Sequence, residues 1–402
     1  MLRSVCRIAC MVIVMLGGMM SSVEAQQFRV FVGTYTGDGS ISRGIYTSVF
    51  DASKGTLSEP VLAAESESPS FLALHPGGGF LYAVNEVVEG SGRANGRVSS
   101  YKIQPDGTLE FLNVQQSFGG APCHCNVDAG GKFLLVANYI GGNVVVYPLN
   151  SDGSLGPAVT NVWHSGEGVD KSRQEAAHAH SINLSADNRF AYAADLGIDR
   201  IVTYQFDNKT GALKGASGGS TVVISERNPD GSEKRMFSTA AAEVTKGGGP
   251  RHFALHPRGL FAYSNNELTA TVTAFSRNET TGELTRIQEL STLPDDFTGL
   301  KSTAECLVDP TGRYLYVSNR GHDSIAAYAI DGESGKLTLM EITSTGGQEP
   351  RNFVIDPTGR WLLAENQNSD SVIVFRIEDG RLKSTDNRIQ VGKPVCIRMK
   401  LK

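Results

Sequence analysis

A chain of 402 residues has room for two or three ordinary domains or for one closed repeat architecture, so internal repeats decide its organisation. Its 45 glycines, 17 phenylalanines and 12 tyrosines with only 20% charged residues suit many short strands joined by tight turns and exclude a build of long solvated helices. A net charge of −5 offers nothing to nucleic acid.

The first 25 residues differ in kind. Arg3 and Arg7 precede the apolar run IACMVIVMLGGMM, and V-E-A ending at Ala25 has the small-residue pattern of a cleavage site. The run is shorter than the ~18 apolar residues of a membrane anchor. Residues 1–25 are therefore expected to be a cleaved secretory signal, and 26–402 an exported protein, periplasmic or secreted, with no membrane attachment. Cys6 and Cys10 leave with the signal. Cys123 and Cys125 are expected on one face of a strand with Cβ atoms about 7 Å apart, too far to bond, and Cys306 and Cys396 sit mid-strand in other repeats. Buried thiols are expected in place of a disulfide framework or a metal site.

One unit is then written six times: PSFLALHPGGGFLYAVN, PCHCNVDAGGKFLLVAN, AHSINLSADNRFAYAAD, PRHFALHPRGLFAYSNN, TAECLVDPTGRYLYVSN and PRNFVIDPTGRWLLAEN. Each runs 16 residues from its first position (Pro69, Pro122, Ala179, Pro250, Thr303, Pro350) to a terminal Asn or Asp, which is the signature of a strand, a P-x-G type turn and a second strand. A third alternating run (VSSYKI, NVVVYPL, RIVTYQF, TVTAF, SIAAYAI, SVIVFRI), a turn and a fourth strand complete each unit. Four antiparallel strands in roughly 45 to 55 residues make a propeller blade. The unit starts are separated by 53, 57, 71, 53 and 47 residues, so an insertion at 215–249 precedes the fifth blade. FRVFVGTYTG and RGIYTSVFD supply a partial first blade, and VGKPVCIRMK reads as its missing strand. The expected fold is an all-β, seven-bladed propeller whose ring is closed by pairing the N- and C-terminal strands, which hides two edges. The lengths and the hairpin turn disfavour a parallel β-helix.

Because the two inner strands of a blade form a hairpin, the start of the first and the end of the second share one rim of the channel. The position after the repeat start holds Ser70, Cys123, His180, Arg251, Ala304 and Arg351, and beside it lie His124, Ser181, His252, Glu305 and Asn352. The position after the terminal Asn or Asp holds Glu86, Tyr139, Leu196, Glu267, Arg320 and Gln367. These residues are polar and different in every blade, whereas strand interiors repeat small and β-branched residues. His75 and His256 sit in the same L-H-P turn at the opposite edge, and Asp309 and Asp356 precede Pro, so all four read as turn formers. His178 and His180 share a face at strand spacing, but no third ligand has a defined place, so no metal is expected. The 215–249 insertion and the glycine-rich E-G-S-G-R-A-N-G beginning at Glu89 are both candidate lids.

On these residues the chain resembles the lactonase family of seven-bladed propellers, which includes propeller-type 6-phosphogluconolactonases and 3-carboxymuconate cyclases. The likeness runs from F-V-G-T-Y-T through H-P-G-G-G-F-L-Y-A-V-N-E, H-A-H-S-I-N, G-P-R-H, N-N-E-L and S-N-R-G-H-D-S-I to Q-N-S-D-S-V. It implies a catalytic group of His180, Arg251, Glu267 and Arg320. Where relatives read A-E-I-H this chain has Ala304, Glu305, Cys306 and Leu307, and nothing in the sequence activates Cys306 as a nucleophile. Opening a lactone needs an activated water, a cationic pocket for the oxyanion and a grip on the substrate's anionic group. His180 is the expected base, Arg251 and Arg320 the oxyanion or carboxylate binders, and Glu267 an orienting or proton-sharing group. Glu86, His124, His252, Glu305 and Arg351 are expected to bind substrate. No G-x-S-x-G falls on a strand-to-helix turn, so direct attack by water is expected without a cofactor. The alternatives are a cyclase-type isomerase run by the same pocket, and an exported propeller that only binds a ligand or protein. A monomer acting on a small anionic or sugar lactone is expected.

Overall fold

A computed structural model describes residues 26–37, 39–88 and 96–402, so residues 1–25, expected to be a secretory signal, and most of the glycine-rich segment suggested as a lid lie outside the described residues. Blade 2 shows the unit at its simplest: Pro69–Leu74, Phe80–Asn85, Arg97–Ile103 and Leu109–Gln116 pair in sequence order, all antiparallel. Blades 3, 5, 6 and 7, which begin at Pro122, Pro250, Thr303 and Pro350, repeat this order, as do the three inner strands of blade 4, which begins at Ala179. In six blades the turn between the inner strands places one residue in the left-handed region. It is Gly78, Gly131, Gly259, Gly312 and Gly359 with φ of 66–75°, and Asn188 at 55°, which is why glycine recurs there and why the one substitute is asparagine.

Blade 1 takes its strands from both termini. Gln27–Thr34 pairs on one side with Gly44–Asp51 and on the other with the C-terminal Pro394–Leu401, from Phe28↔Leu401 to Thr34↔Pro394. The terminal strand is thus innermost, and the ring closes as the sequence predicts.

Apolar side chains pack between blades. Tyr82, Tyr192, Tyr263 and Tyr316 hold one repeat position and are fully buried, and the clusters around them join neighbours, as where Tyr263 and Cys306 share a core across blades 5 and 6. The terminal Asn of the repeat belongs to this scaffold. Asn85, Asn138 and Asn319 donate Nδ2 to Glu67 O, Ser117 O and Thr292 O, at 2.7, 2.9 and 2.8 Å, and so hold the chain arriving from the preceding blade.

Two expectations are corrected. Much of the 215–249 insertion is a hairpin, Thr221–Arg227 with Glu233–Glu243, on the outer circumference. Its first strand pairs with Thr160–Trp163 of blade 3, and its second with Arg200–Phe206 of blade 4, joining the two blades into one ten-stranded sheet. It covers outer strand edges and only its end reaches the rim, where Gly249 O accepts from Glu267 N at 2.7 Å. The two neighbouring cysteines do not share a face. Cys123 Sγ lies 3.2 Å from His180 O of blade 4, and Cys125 Sγ lies 3.8 Å from Phe71 O of blade 2.

The cause is a bulge that sequence periodicity does not announce. At the start of the innermost strand of every blade the pairing register slips, between Pro69 and Phe71, Ala179 and Ser181, Pro250 and Phe253, Thr303 and Cys306, and Pro350 and Asn352. Blade 3 slips opposite Ala137 and Asn138, and blade 1 opposite Gly33 and Thr34. A bulged residue breaks the strict alternation of faces, so consecutive side chains both reach the axis.

Candidate active site

The bulge produces the residue after each repeat start, and three of these residues, His180, Arg251 and Arg351, gather at the mouth with the residues that end the neighbouring strands. Glu267 is the hub on one side. Its Oε2 accepts from Arg251 Nε at 2.9 Å and lies 3.0 Å from Arg320 Nη2, while its Oε1 accepts from Arg173 Nη2 at 2.7 Å. Burial raises the Glu267 carboxyl, but Arg320, Arg251 and Arg173 outweigh it and hold the pKa at about 2. With both oxygens engaged, this carboxylate positions guanidinium groups and is badly placed to carry protons. Arg251, 2% exposed, also donates to Ala304 O at 2.6 Å, and burial together with Arg320 and Arg351 lowers it to about 10, so it stays charged at neutral pH.

A second group occupies the other side. Tyr35 Oη donates to Glu86 Oε2 at 2.8 Å and accepts from Arg351 Nη2 at 2.7 Å, with the Arg351 guanidinium 5.1 Å from the Tyr35 ring centre. Tyr35 follows the strand Gln27–Thr34 as Glu86 and Glu267 follow theirs, so it is blade 1's member of the same rim position. The sequence pattern hid it because the innermost strand of that blade lies at the far end of the chain. Arg173 was also missed. It sits outside the repeat, on a loop closed by Gln174, whose Nε2 donates to Leu196 O and Asp199 Oδ1 at 2.8 and 2.7 Å.

His180 lies between these groups, 5% exposed. Its Nδ1 is 3.7 Å from the Cys123 thiol, and among the described residues nothing hydrogen-bonds its Nε2. Burial, then Arg251, His252 and Arg351, depresses its pKa well below 6.5, so the imidazole is neutral and able to accept a proton at neutral pH. His178 is turned away, with Nδ1 2.8 Å from Tyr139 O and Nε2 3.2 Å from Glu175.

His124, His252 and Glu305 lie one layer deeper than the rim. His252 Nε2 accepts from Arg251 Nη1 at 3.2 Å, which makes its Nδ1 the donor to Glu305 Oε1 at 2.7 Å. Glu305 accepts further from Cys306 N and from Asn352 Nδ2. The rings of Tyr139, His180, His252, His124 and Phe71 follow one another with centroids 5.4, 5.6, 5.4 and 4.2 Å apart, and so form a partition across the channel. The flat strand pattern placed these residues beside the mouth; the bulge drops them beneath it.

Three buried polar atoms at the two rim positions, Ser70 Oγ, Arg320 Nε and Gln367 Oε1, have no partner among the described residues. Buried polar atoms demand partners, so these are available to an incoming polar molecule. Arg173, Arg251, Arg320 and Arg351 face Glu86 and Glu267, which leaves the mouth cationic.

The family model for lactonases with a seven-bladed β-propeller matches residues 29–399. The chain belongs to that family. A protein of Bacillus subtilis named 6-phosphogluconolactonase is 38% identical over 371 residues, covering 92% of this chain and 97% of the relative. Another bearing that name, from Formosa agariphila, is 31% identical over 331 residues, covering 81% and 85%. Among solved structures, a periplasmic gluconolactonase of Pseudomonas aeruginosa superposes with a TM-score of 0.80 at 32% identity, covering 93% of this chain and 99% of that one. Membership rests on nearly the whole propeller, so it extends to the architecture that builds the mouth.

Proposed function

We propose that this member of the family hydrolyses a sugar-acid lactone of the 6-phosphogluconolactone type by attack of water at the channel mouth. The observation that carries the reading is a neutral buried imidazole beside four arginines that outnumber their carboxylates. His180 Nε2 takes a proton from the attacking water and returns it to the ring oxygen as the lactone C–O bond breaks. Arg320, whose Nε is unpartnered, and Arg251 receive the charge that develops on the carbonyl oxygen. Glu267 sets the angle between these two guanidinium groups. Arg351 and Arg173, at 16% and 41% side-chain exposure, stand further out and grip the anionic substituent. The names of the Bacillus and Pseudomonas proteins support a gluconolactone skeleton. We infer also that residues 1–25 direct export, which the periplasmic location of the Pseudomonas protein supports.

The deciding experiment offers the purified protein gluconolactone, its 6-phosphate and a muconolactone, with spontaneous hydrolysis subtracted. The phosphorylated lactone is expected to turn over best, and Arg351→Gln to raise KM for it more than for the unphosphorylated one. Ring closure of a muconate would indicate the cyclase chemistry instead. No turnover above background with any of the three sinks the hydrolase reading, and full activity in Arg320→Gln overturns the assignment of the oxyanion to Arg320 at the mouth.

A further inference from the structure

Beneath the partition the channel opens again. A cavity of about 440 Å³ is lined by inner-strand residues of all seven blades, among them Phe71, His124, Asn183, His252, Glu305 and Arg398. Leu74 and Val127, which end their strands, also line it, so it opens at the end of the channel away from the mouth. Its volume lies within the roughly 300–1,000 Å³ of small-molecule sites.

Its chemistry differs from that of the mouth. Arg398, from the terminal strand that closes the ring, lays its guanidinium 4.4 Å from the centre of the Phe71 ring and donates Nη1 only to the adjacent Ile397 O, at 2.7 Å. Among the described residues no carboxylate stands within ion-pairing distance of it. Glu305, the acidic residue in the wall, is committed to His252, Asn352 and Cys306 N. Glu365 lies fully buried with neither oxygen partnered among the described residues, and burial pushes its carboxyl well above the usual range, so it is a poor counter-charge. The Asn126 and Asn183 amides add polar groups to the wall. Val127, Leu307, Val354 and Met399 present partly exposed apolar surface to the same space, where a purely aqueous channel would favour polar residues.

We infer that this chamber is a second binding site, separate from the mouth, for a small monocarboxylate with a compact apolar body. The carboxylate sits on the unpaired edge of Arg398 within reach of an asparagine amide, and the body lies against Phe71 and the aliphatic wall. One cation and half-apolar walls suit a single negative charge. A phosphate dianion calls for the several cations that the mouth has and the chamber lacks.

The test titrates the protein with 4-fluorobenzoate and, separately, with neutral 4-fluorobenzamide, following the ligand's fluorine resonance. Saturable binding of the acid is expected, with the amide at least about tenfold weaker, the loss of one charge-assisted pair. Arg398→Gln should weaken the acid by a similar factor, and Arg320→Gln at the mouth should leave this binding in place. Val354→Trp fills the chamber from a different blade without touching Arg398 and should also abolish it, which keeps the question decidable if Arg398→Gln fails to fold. The inference is overturned by absence of saturable binding, by equal affinity for acid and amide, by unchanged binding in a folded Arg398→Gln or Val354→Trp, or by binding that disappears only with Arg320.

Discussion

Glu267 and His180 are shifted in the same direction by opposite logic, and this gives the mouth its pH behaviour. The folded pKa of Glu267 is depressed from an ordinary value near 4.5 to about 2, so its stabilising contribution is complete above 4.5 and is lost as pH falls toward 2. The size is on the order of 3 kcal/mol, from about 1.4 kcal/mol per pKa unit. Glu267→Gln should therefore be less stable at neutral pH and lose less on acidification, which urea midpoints measured between those limits would show; parallel curves for the two proteins would refute it. His180 gives the same sign by a different route. A base whose folded pKa is pushed below 6.5 stays neutral while the unfolded chain gains its proton, so it costs stability once pH falls below 6.5. As the proposed base it should hold kcat/KM level from neutral pH to well below 6.5. Arg251→Gln removes the strongest charge acting on it, so the acid limb should move upward toward 6.5 along with the fall in rate. An unmoved limb would mean that another group carries the proton.

At the scale of strands and loops, what was legible in the sequence was whatever repeats. The hairpin unit, the left-handed turn residue and the Asn that ends the second strand recur at fixed spacing because each blade meets the same neighbours, and so the propeller and its two rim positions could be read directly. What departs from the repeat could not. The bulge adds a residue without altering composition, and it moved His124, His252 and Glu305 below the mouth. Tyr35 belongs to a blade split between the termini, and Arg173 reaches Glu267 across 94 residues from a loop with no counterpart in other blades. The insertion shows the same limit: a glycine- and charge-rich stretch before a rim strand suggested a lid, yet Ile224 of its hairpin is fully buried in the core shared by blades 3 and 4. Ile224→Ala should cost about 2–5 kcal/mol, as large-to-small core changes do, while leaving kcat/KM within about twofold, since the hairpin lies on the outer circumference. A selective loss of turnover at unchanged stability would restore the lid.

The whole molecule is a ring, and its weakest joint is where the chain ends meet. Six blades fold their inner strands from contiguous sequence, but blade 1 must bring Pro394–Leu401 back to Gln27–Thr34 before its sheet has an inner edge. That pairing supplies backbone bonds and also buries Ile397 in a core shared with blade 7 and Cys396 in one shared with blade 2. Loop-closure entropy makes it the costliest contact to form, so it is expected to follow assembly of the other blades. Truncation after Lys393 should leave the inner edge of Gln27–Thr34 unpaired and the channel open. Size-exclusion chromatography should then show association through that edge, and the thermal transition should be broader and earlier than that of the full chain. Adding the excised strand in trans as a peptide of residues 394–402 should recover part of the cooperativity, because the groove between blades 7 and 2 is already shaped for it. A truncated chain that stays monomeric and melts like the parent would show that the ring does not depend on its closing strand. Since Arg398 rides on that strand, the truncated protein should lose carboxylate binding in the lower chamber as well, and the peptide should restore the two properties together.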